Sequence, residues 1–301
     1  MSQIFDALHR SESERRGPDL PKLHTAPELL REVERQVVGR DTQWRREEVT
    51  EEHPFTDIPA VTVTADPRAK LVCVTDPQSL AAERFRFLGV KLRHLQQKKQ
   101  TNRLLITSSV PEEGKSTVAA NLACVLAKKE GLKVLLLEGD LRRPALAKIF
   151  GIQGARGLSE LLHGSKTSGT NLYRLDSLGF WMLPAGNSSV DSLTLLQSSK
   201  LNEVMDQMSS WFDWIIIDSP PVLPLGDTSI WMRLADNILL VTRPGRTEKR
   251  QLQRTFEAIE QSKMLGVLLN ASTDASANNY YHYYHGRRQT PDPSNGKTTP
   301  A

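Results

Sequence analysis

Between residues 69 and about 272, short apolar runs alternate with segments whose apolar positions recur every three or four residues. The apolar runs fall at 103–107, 133–137, 180–183, 214–217, 237–242 and 266–269. Uninterrupted apolar runs of this length predict strands buried on both faces. Helical periodicity between them covers 116–128, 200–210 and 248–263, among other stretches. The alternation predicts an α/β fold, with a mostly parallel central sheet flanked by helices on both faces. Sheets of this kind bind ligands beyond the carboxyl ends of their strands.

The flanks read differently. Residues 1–68 are rich in Arg, Glu and Pro and read as a helical and linker segment. Two short amphipathic patterns stand out there, one with Ile4, Phe5 and Leu8 on one face, the other with Leu29, Leu30, Val33 and Val37. Residues 273–301 lack periodicity and read as a disordered, tyrosine-rich tail. The middle segment, 69–272, is therefore the predicted catalytic or binding domain. The net charge of +4 over 301 residues is too small to argue for nucleic acid, and no basic stripe is organised along a helix. Cys73 and Cys124 lie in apolar surroundings without metal-ligand spacing and read as buried, reduced thiols. No signal-peptide pattern opens the chain, and no apolar stretch approaches the ~18–20 residues of a membrane span. A cytoplasmic location is expected, with any membrane recruitment through a partner.

The chemistry concentrates at three strand ends. The run at 103–107 leads into Ser-Ser-Val-Pro-Glu-Glu-Gly-Lys-Ser-Thr, residues 108–117, which opens a helix. Gly114-Lys115-Ser116 completes the rule for a phosphate loop, while Ser109 holds the position of its first glycine. Ser109, Pro111, Glu112, Glu113, Gly114, Lys115, Ser116 and Thr117 are the candidate nucleotide-binding residues. The amides at the helix start and the helix dipole attract phosphate, Gly114 permits close approach, and Lys115 neutralises charge. The Ser116 hydroxyl is a Mg²⁺ ligand candidate. A second strand delivers Glu138 and Asp140, two residues apart and thus expected on one side of the strand end. A third ends in Asp218. Carboxylates at such positions are where Mg²⁺ finds ligands, here Asp140 and Asp218. Arg142 and Arg143 follow closely, either for phosphate contact or on a solvated turn.

The tail adds Asn-Asn-Tyr-Tyr-His-Tyr-Tyr-His-Gly-Arg-Arg, residues 278–288, with four of the five tyrosines of the chain. Taken together, the phosphate loop, Leu-Leu-Leu-Glu-Gly-Asp-Leu-Arg-Arg-Pro, Ile-Ile-Ile-Asp-Ser-Pro-Pro-Val and the tyrosine cluster resemble the bacterial tyrosine autokinases of capsule and exopolysaccharide synthesis. These are P-loop ATPases related to the division-site and partition ATPases. The resemblance spans roughly residues 75 to 285.

It implies a P-loop NTPase fold, ATP and Mg²⁺ as cofactors, and transfer of the γ-phosphoryl group to a tail tyrosine of a neighbouring subunit. The phosphoacceptor candidates are Tyr280, Tyr281, Tyr283 and Tyr284. Lys115, Glu138, Asp140 and Asp218 would be the catalytic set, with Glu138 or Asp140 accepting or orienting the tyrosine proton. The implied partners are the cytoplasmic segment of a membrane polysaccharide chain-length regulator, as activator, and further copies of the chain in a homo-oligomer. Three positions depart from the family pattern. Glu112 stands where glycine is usual, Glu138 where Asp is usual, and Gly89 ends a Glu-x-x-Arg-x-x-Arg helix motif begun by Glu83 and Arg86. Lys91 or Arg93 is then the cation left for the assembly role. Glu112 and Glu138 motivate the alternative function, a regulatory P-loop ATPase without tyrosine kinase activity.

Overall fold

The computed structural model describes residues 58–271, apart from 62, 64–68, 100, 165–170, 188–190 and 224–225. The two amphipathic patterns near the N-terminus and the tyrosine cluster lie outside the described residues. Elements run in the order α1 (Val72–Thr75), α2 (Leu80–Lys99), β1 (Arg103–Ser108), α3 (Lys115–Ala127), β2 (Val134–Glu138), α4 (Leu146–Ile149) and α5 (Leu158–Leu162). Then follow β3 (Tyr173–Leu175), β4 (Phe180–Leu183), α6 (Ser192–Leu196), α7 (Ser199–Trp211), β5 (Trp214–Asp218) and α8 (Asp227–Leu234). The last are β6 (Asn237–Thr242), α9 (Lys249–Ala258) and β7 (Met264–Leu269).

Among the described residues, seven strands form one sheet in the order β3-β4-β2-β5-β1-β6-β7. All neighbours are parallel except β3 and β4. The apolar runs become the six longer strands because each contributes to two cores at once. On β1, Leu104 and Ile106 join one core, while Leu105 joins the other. The same alternation holds for Leu136 and Leu135 on β2, and for Ile216 and Ile215 on β5. Each such buried aliphatic side chain contributes about 1.5–3 kcal/mol. Helix α3 lies in the first core, burying Val118, Leu122 and Leu126; α7 lies in the second, burying Leu201, Val204, Met205 and Met208.

The helix expected over 248–263 is shorter. It ends at Ala258, because Ile259 turns extended and enters the second core, and a single 3₁₀ turn at Gln261–Lys263 leads into β7. Gly89 sits where α2 crosses α3. A Cβ there would lie 2.6 Å from Val125 Cγ1 and 3.8 Å from Leu126 Cδ2. Val125 is β-branched and has little rotamer freedom in a helix. The position that completes the Glu-x-x-Arg-x-x-Arg pattern therefore faces the neighbouring helix, and any side chain on it must push α2 and α3 apart. Glu83 and Arg86, one turn earlier, pair with each other at 2.6 Å. Cys73 and Cys124 are buried and free, and burial raises their thiols to about 11 and about 12 respectively. Both are unreactive at neutral pH.

Candidate nucleotide site

Strands β1, β2 and β5 end side by side, so their carboxyl ends bring the three motifs together. Glu138 lies in register with Asp218, and Ile106 with Asp218 on the other side. From β1 the chain passes through residues 109–114 and enters α3. Gly114 caps that helix in a left-handed conformation, φ 91°. With no side-chain cap, the first amides of α3 are left to an external anion. The other left-handed residue of the loop is Glu112, φ 65°. Ser109 is not among the positive-φ residues, so serine at that position demands no unusual backbone. The Ser109 hydroxyl is buried without a hydrogen-bond partner.

Lys115 projects from the first turn of α3 into the carboxylates. Its Nζ lies 3.0 Å from Asp140 Oδ2 and 3.8 Å from Asp218 Oδ1. Burial would lower its pKa, but Asp218 and Asp140 outweigh burial and hold the ammonium above its ordinary value. Asp140 is also fixed by its own loop, since the Arg143 amide donates to Oδ1 at 3.0 Å. Asp218 is different. Its side chain is 1% exposed, and neither oxygen accepts a hydrogen bond. Burial raises its pKa against the pull of Lys115 and the Ser116 hydroxyl. A buried carboxylate whose oxygens are not satisfied at hydrogen-bond distance, beside a hydroxyl and an ammonium, fits a divalent cation. Among the described residues no cluster of three or more His, Cys, Asp or Glu could hold a metal. Ser116, Asp218 and Asp140 thus fit a cation completed by phosphate oxygens and water, as is usual for Mg²⁺.

Glu138 and Asp140 do not hydrogen-bond the same partners. Glu138 is fully buried. Its Oε1 accepts from the Leu146 amide and its Oε2 from the Ala185 amide. Burial raises its pKa, opposed by those two amides. Glu138 pins the start of α4 and the end of β4 to β2. Of the two, Asp140 is the one in ion-pair contact with Lys115, while Glu138 acts on it at longer range.

Glu113 also turns inward. Its carboxylate accepts from the Val110 amide at 2.9 Å, the Arg243 amide at 3.1 Å and the Thr247 hydroxyl. Its carbonyl accepts from Asn270 Nδ2 at 2.8 Å. Glu112 pairs with Arg246. The phosphate loop is thereby clamped to the turn after β6 and to the end of β7. Asn270 was not evident from the sequence; nothing local marks an Asn after a strand as a contact to a loop 157 residues away.

Arg142 and Arg143 have separate fates. Arg142 donates twice to Asp227, at 2.8 and 3.1 Å, and Asp227 also accepts from the Ser192 hydroxyl at 2.8 Å. For Asp227, burial works upward, but these donors outweigh it and lower the pKa. The pair ties the loop after β2 to the first turn of α8. Arg143 contributes its amide to Asp140, and its side chain is exposed. Thr117 and Pro111 lie in the loop and first turn as expected, while Tyr280, Tyr281, Tyr283 and Tyr284 are outside the described residues.

A strand, a glycine-capped helix start, a buried lysine and two facing aspartates define a P-loop nucleotide-binding protein. Residues 99–289 match the family model described as ParA: NUBPL iron-transfer P-loop NTPase, and the chain belongs to that class. Within it, the chain belongs to the bacterial tyrosine-protein kinases. It is 32% identical over 216 residues to tyrosine-protein kinase YwqD of Bacillus subtilis, covering 71% of this chain and 90% of that one. It is 33% identical over 180 residues to CpsD of Streptococcus agalactiae, covering 58% and 77%. The putative kinase AmsA of Erwinia amylovora is 33% identical over 217 residues, but the chain spans only 30% of AmsA. The kinase domain of Escherichia coli tyrosine kinase ETK superposes with a TM-score of 0.63 at 28% identity, covering 66% of this chain and 79% of that one. The chimerical protein CapA2B2 gives 0.61 at 28%, covering 70% and 93%. The enzyme class is protein-tyrosine kinase. Among the described residues no helix is long and apolar enough to cross a membrane.

Proposed function

We propose that this chain is an ATP- and Mg²⁺-dependent autokinase that phosphorylates tyrosines of its own C-terminal cluster and thereby regulates capsule or exopolysaccharide synthesis and export. The observation that carries the reading is Asp218, a buried carboxylate unsatisfied at hydrogen-bond distance beside Lys115 and Ser116 at the phosphate loop. The four tyrosines at 280–284 supply an acceptor. The amides of residues 112–116 and the Lys115 ammonium would bind the phosphates; Ser116, Asp218 and Asp140 would hold the metal, which would supply charge neutralisation on the transferred group. Lys115 must exchange Asp140 for phosphate oxygen as nucleotide enters.

In the transfer, the tyrosine oxygen forms a bond to the γ-phosphorus as the bond to the ADP oxygen breaks. The phenolic proton passes to a carboxylate. Asp140 suits that role better than Glu138, because both Glu138 oxygens are held by backbone amides. ADP is the leaving group. The likeness to kinases of capsule systems supports a cytoplasmic protein assembled as a homo-oligomer and activated at the membrane by the cytoplasmic segment of a chain-length regulator. No nucleic acid is required.

A second reading, a regulatory P-loop ATPase without kinase activity, draws on Glu112 in a glycine-like conformation next to the phosphates. The two readings separate on incubation with γ-labelled ATP, Mg²⁺ and the activating segment. Label on tyrosine that vanishes in Lys115→Met supports the autokinase. ATP hydrolysis without phosphotyrosine supports the regulatory ATPase.

A further inference from the structure

The outer strand β7 pairs only with β6 among the described residues. On one face of this corner, Leu252 and Phe256 of α9 and Met264 of β7 pack against the second core. On the other face, α2 leaves a groove of about 1050 Å³. Leu80, Leu88 and Leu95 of α2 line one side at helical spacing, and Leu265, Val267 and Leu269 of β7 line the other. Val267 and Leu269 are 46% and 55% exposed, unusual for aliphatic side chains on the edge of a parallel sheet. The groove runs to the phosphate loop, where Glu112, Gly114 and Thr117 border it.

Four cations also line it, Lys70, Arg84, Lys91 and Arg243. Among the described residues that line it, the only carboxylate is Glu112, already paired with Arg246. Among the described residues, no carboxylate lies within ion-pair distance of the side chains of Lys70, Arg84 or Arg243. Lys91 Nζ sits 4.5 Å over the Phe87 ring. Apolar surface bordered by cations that have no carboxylate partner among the described residues is the complement of an aromatic ring that carries a phosphate.

The described chain ends at this groove, since Leu269, Asn270 and Ala271 line it. Tyr280 follows Ala271 by nine residues. Nine extended residues span up to about 30 Å, more than the roughly 20 Å length of six-residue β7. Residues 272–301 carry Arg287, Arg288 and Lys297 against Asp274 and Asp292, a net charge of +1. In that state the cations of the groove repel the tail. Residues 278–288 themselves carry Arg287 and Arg288 and no carboxylate, a net charge of +2. Each tyrosine phosphate adds about −1.5 to −2, so two phosphates reverse the sign of that segment. We propose that the groove between α2 and β7 is a docking site for phosphotyrosine within residues 278–288 of this chain, filled after phosphorylation and not before. The autokinase reading supplies the phosphate, while the docking chemistry stands without it. Docking would hold the product tail beside the nucleotide site and out of it.

The test uses the full chain with Tyr280, Tyr281, Tyr283 and Tyr284 each replaced by Phe, and fluorescent synthetic peptides of residues 276–289. One peptide is unmodified and one is phosphorylated at Tyr281 and Tyr284, so the outcome does not depend on whether the enzyme transfers phosphate. Fluorescence anisotropy should show the phosphopeptide binding at least tenfold tighter, with affinity falling as salt rises. Arg84→Ala with Lys91→Ala should weaken it at least tenfold, and Arg84→Lys should retain most of the binding. Both side chains are exposed, and circular dichroism should confirm an unchanged fold. Equal affinity for the two peptides overturns the proposal. So does phosphopeptide binding that survives Arg84→Ala with Lys91→Ala, and so does full displacement by excess Mg·ATP, which would put the peptide in the nucleotide site. Light scattering in which the groove substitutions change the oligomer but not peptide affinity would assign the groove to a second copy, and also overturns it.

Discussion

Replacing Asp218 with Asn should stabilise the nucleotide-free protein while abolishing its response to Mg·ATP. The buried cluster holds one cation, Lys115, among three carboxylates, Glu138, Asp140 and Asp218. At 3.8 Å the Lys115–Asp218 attraction is worth about 4 kcal/mol at an effective dielectric of about 20. Desolvating a carboxylate costs several kcal/mol, and Asp140 adds repulsion. The raised pKa of Asp218 shows that the costs win. A carboxamide is cheaper to bury, so the variant should gain about 1 kcal/mol. For a domain of this size that raises Tm by about 2–4 °C.

The pH dependence has a definite sign. The folded state keeps the Asp218 proton to a higher pH than the unfolded chain, whose value is near 3.8. Wild type therefore loses stability as pH rises through the folded pKa, and its deficit relative to Asp218→Asn shrinks as pH falls toward 4. With Mg·ATP at a hundred times its Kd, wild type should gain about 2.7 kcal/mol, and the variant almost none. Differential scanning fluorimetry with and without Mg·ATP, between pH 4 and 8, reads both effects. A variant less stable than wild type without nucleotide, or one that keeps the nucleotide shift, refutes the assignment of Asp218 as the metal carboxylate.

Asp227→Asn should cost about 2 kcal/mol, because it removes the charge that pairs with Arg142 and turns one of the two oxygens accepting from Arg142 and Ser192 into an amide donor, while Arg142 remains partly solvated. The lowered pKa of Asp227 means that its contribution is present above about pH 4 and is lost as pH falls through the folded value; acid titration of urea midpoints should show this in wild type and not in the variant. Glu112→Gly should relieve the left-handed conformation and remove a negative charge beside the phosphates, so ATP should bind severalfold tighter by calorimetry with no loss of Tm. Glu138→Gln turns one acceptor oxygen into a donor facing a backbone amide, so it should lower the urea midpoint by the equivalent of about 2 kcal/mol. Asp140→Asn should instead leave the fold intact and lower kcat.

Much of the fold was legible because parallel strands buried on both faces must be apolar throughout. The runs at 180–183 and 237–242 match β4 and β6 residue for residue, and the others differ by one or two positions. Strand β3 escaped notice because three residues leave no period to read. The short helices α4, α5 and α6 escaped for the same reason. At the site, Gly114-Lys115-Ser116 and Asp218 were readable because a phosphate loop is local and a strand end is a fixed address. The roles of Glu138 and Glu113 were not. Both are carboxylates in motif positions, and only tertiary structure brings the amides of Leu146, Ala185 and Arg243 to them. Gly89 is similar: its need for a small residue comes from Val125, 36 positions away, and no local pattern carries that information.

The most direct measurement is the mass of phosphate and its position after reaction. The full chain is incubated with ATP, Mg²⁺ and the activating segment, then digested and sequenced by tandem mass spectrometry. Phosphate should appear on one or more of Tyr280, Tyr281, Tyr283 and Tyr284, and should be absent from Lys115→Met carried through the same reaction. An unmodified tail, from wild-type protein shown to bind and hydrolyse ATP in the same tube, would contradict the autokinase.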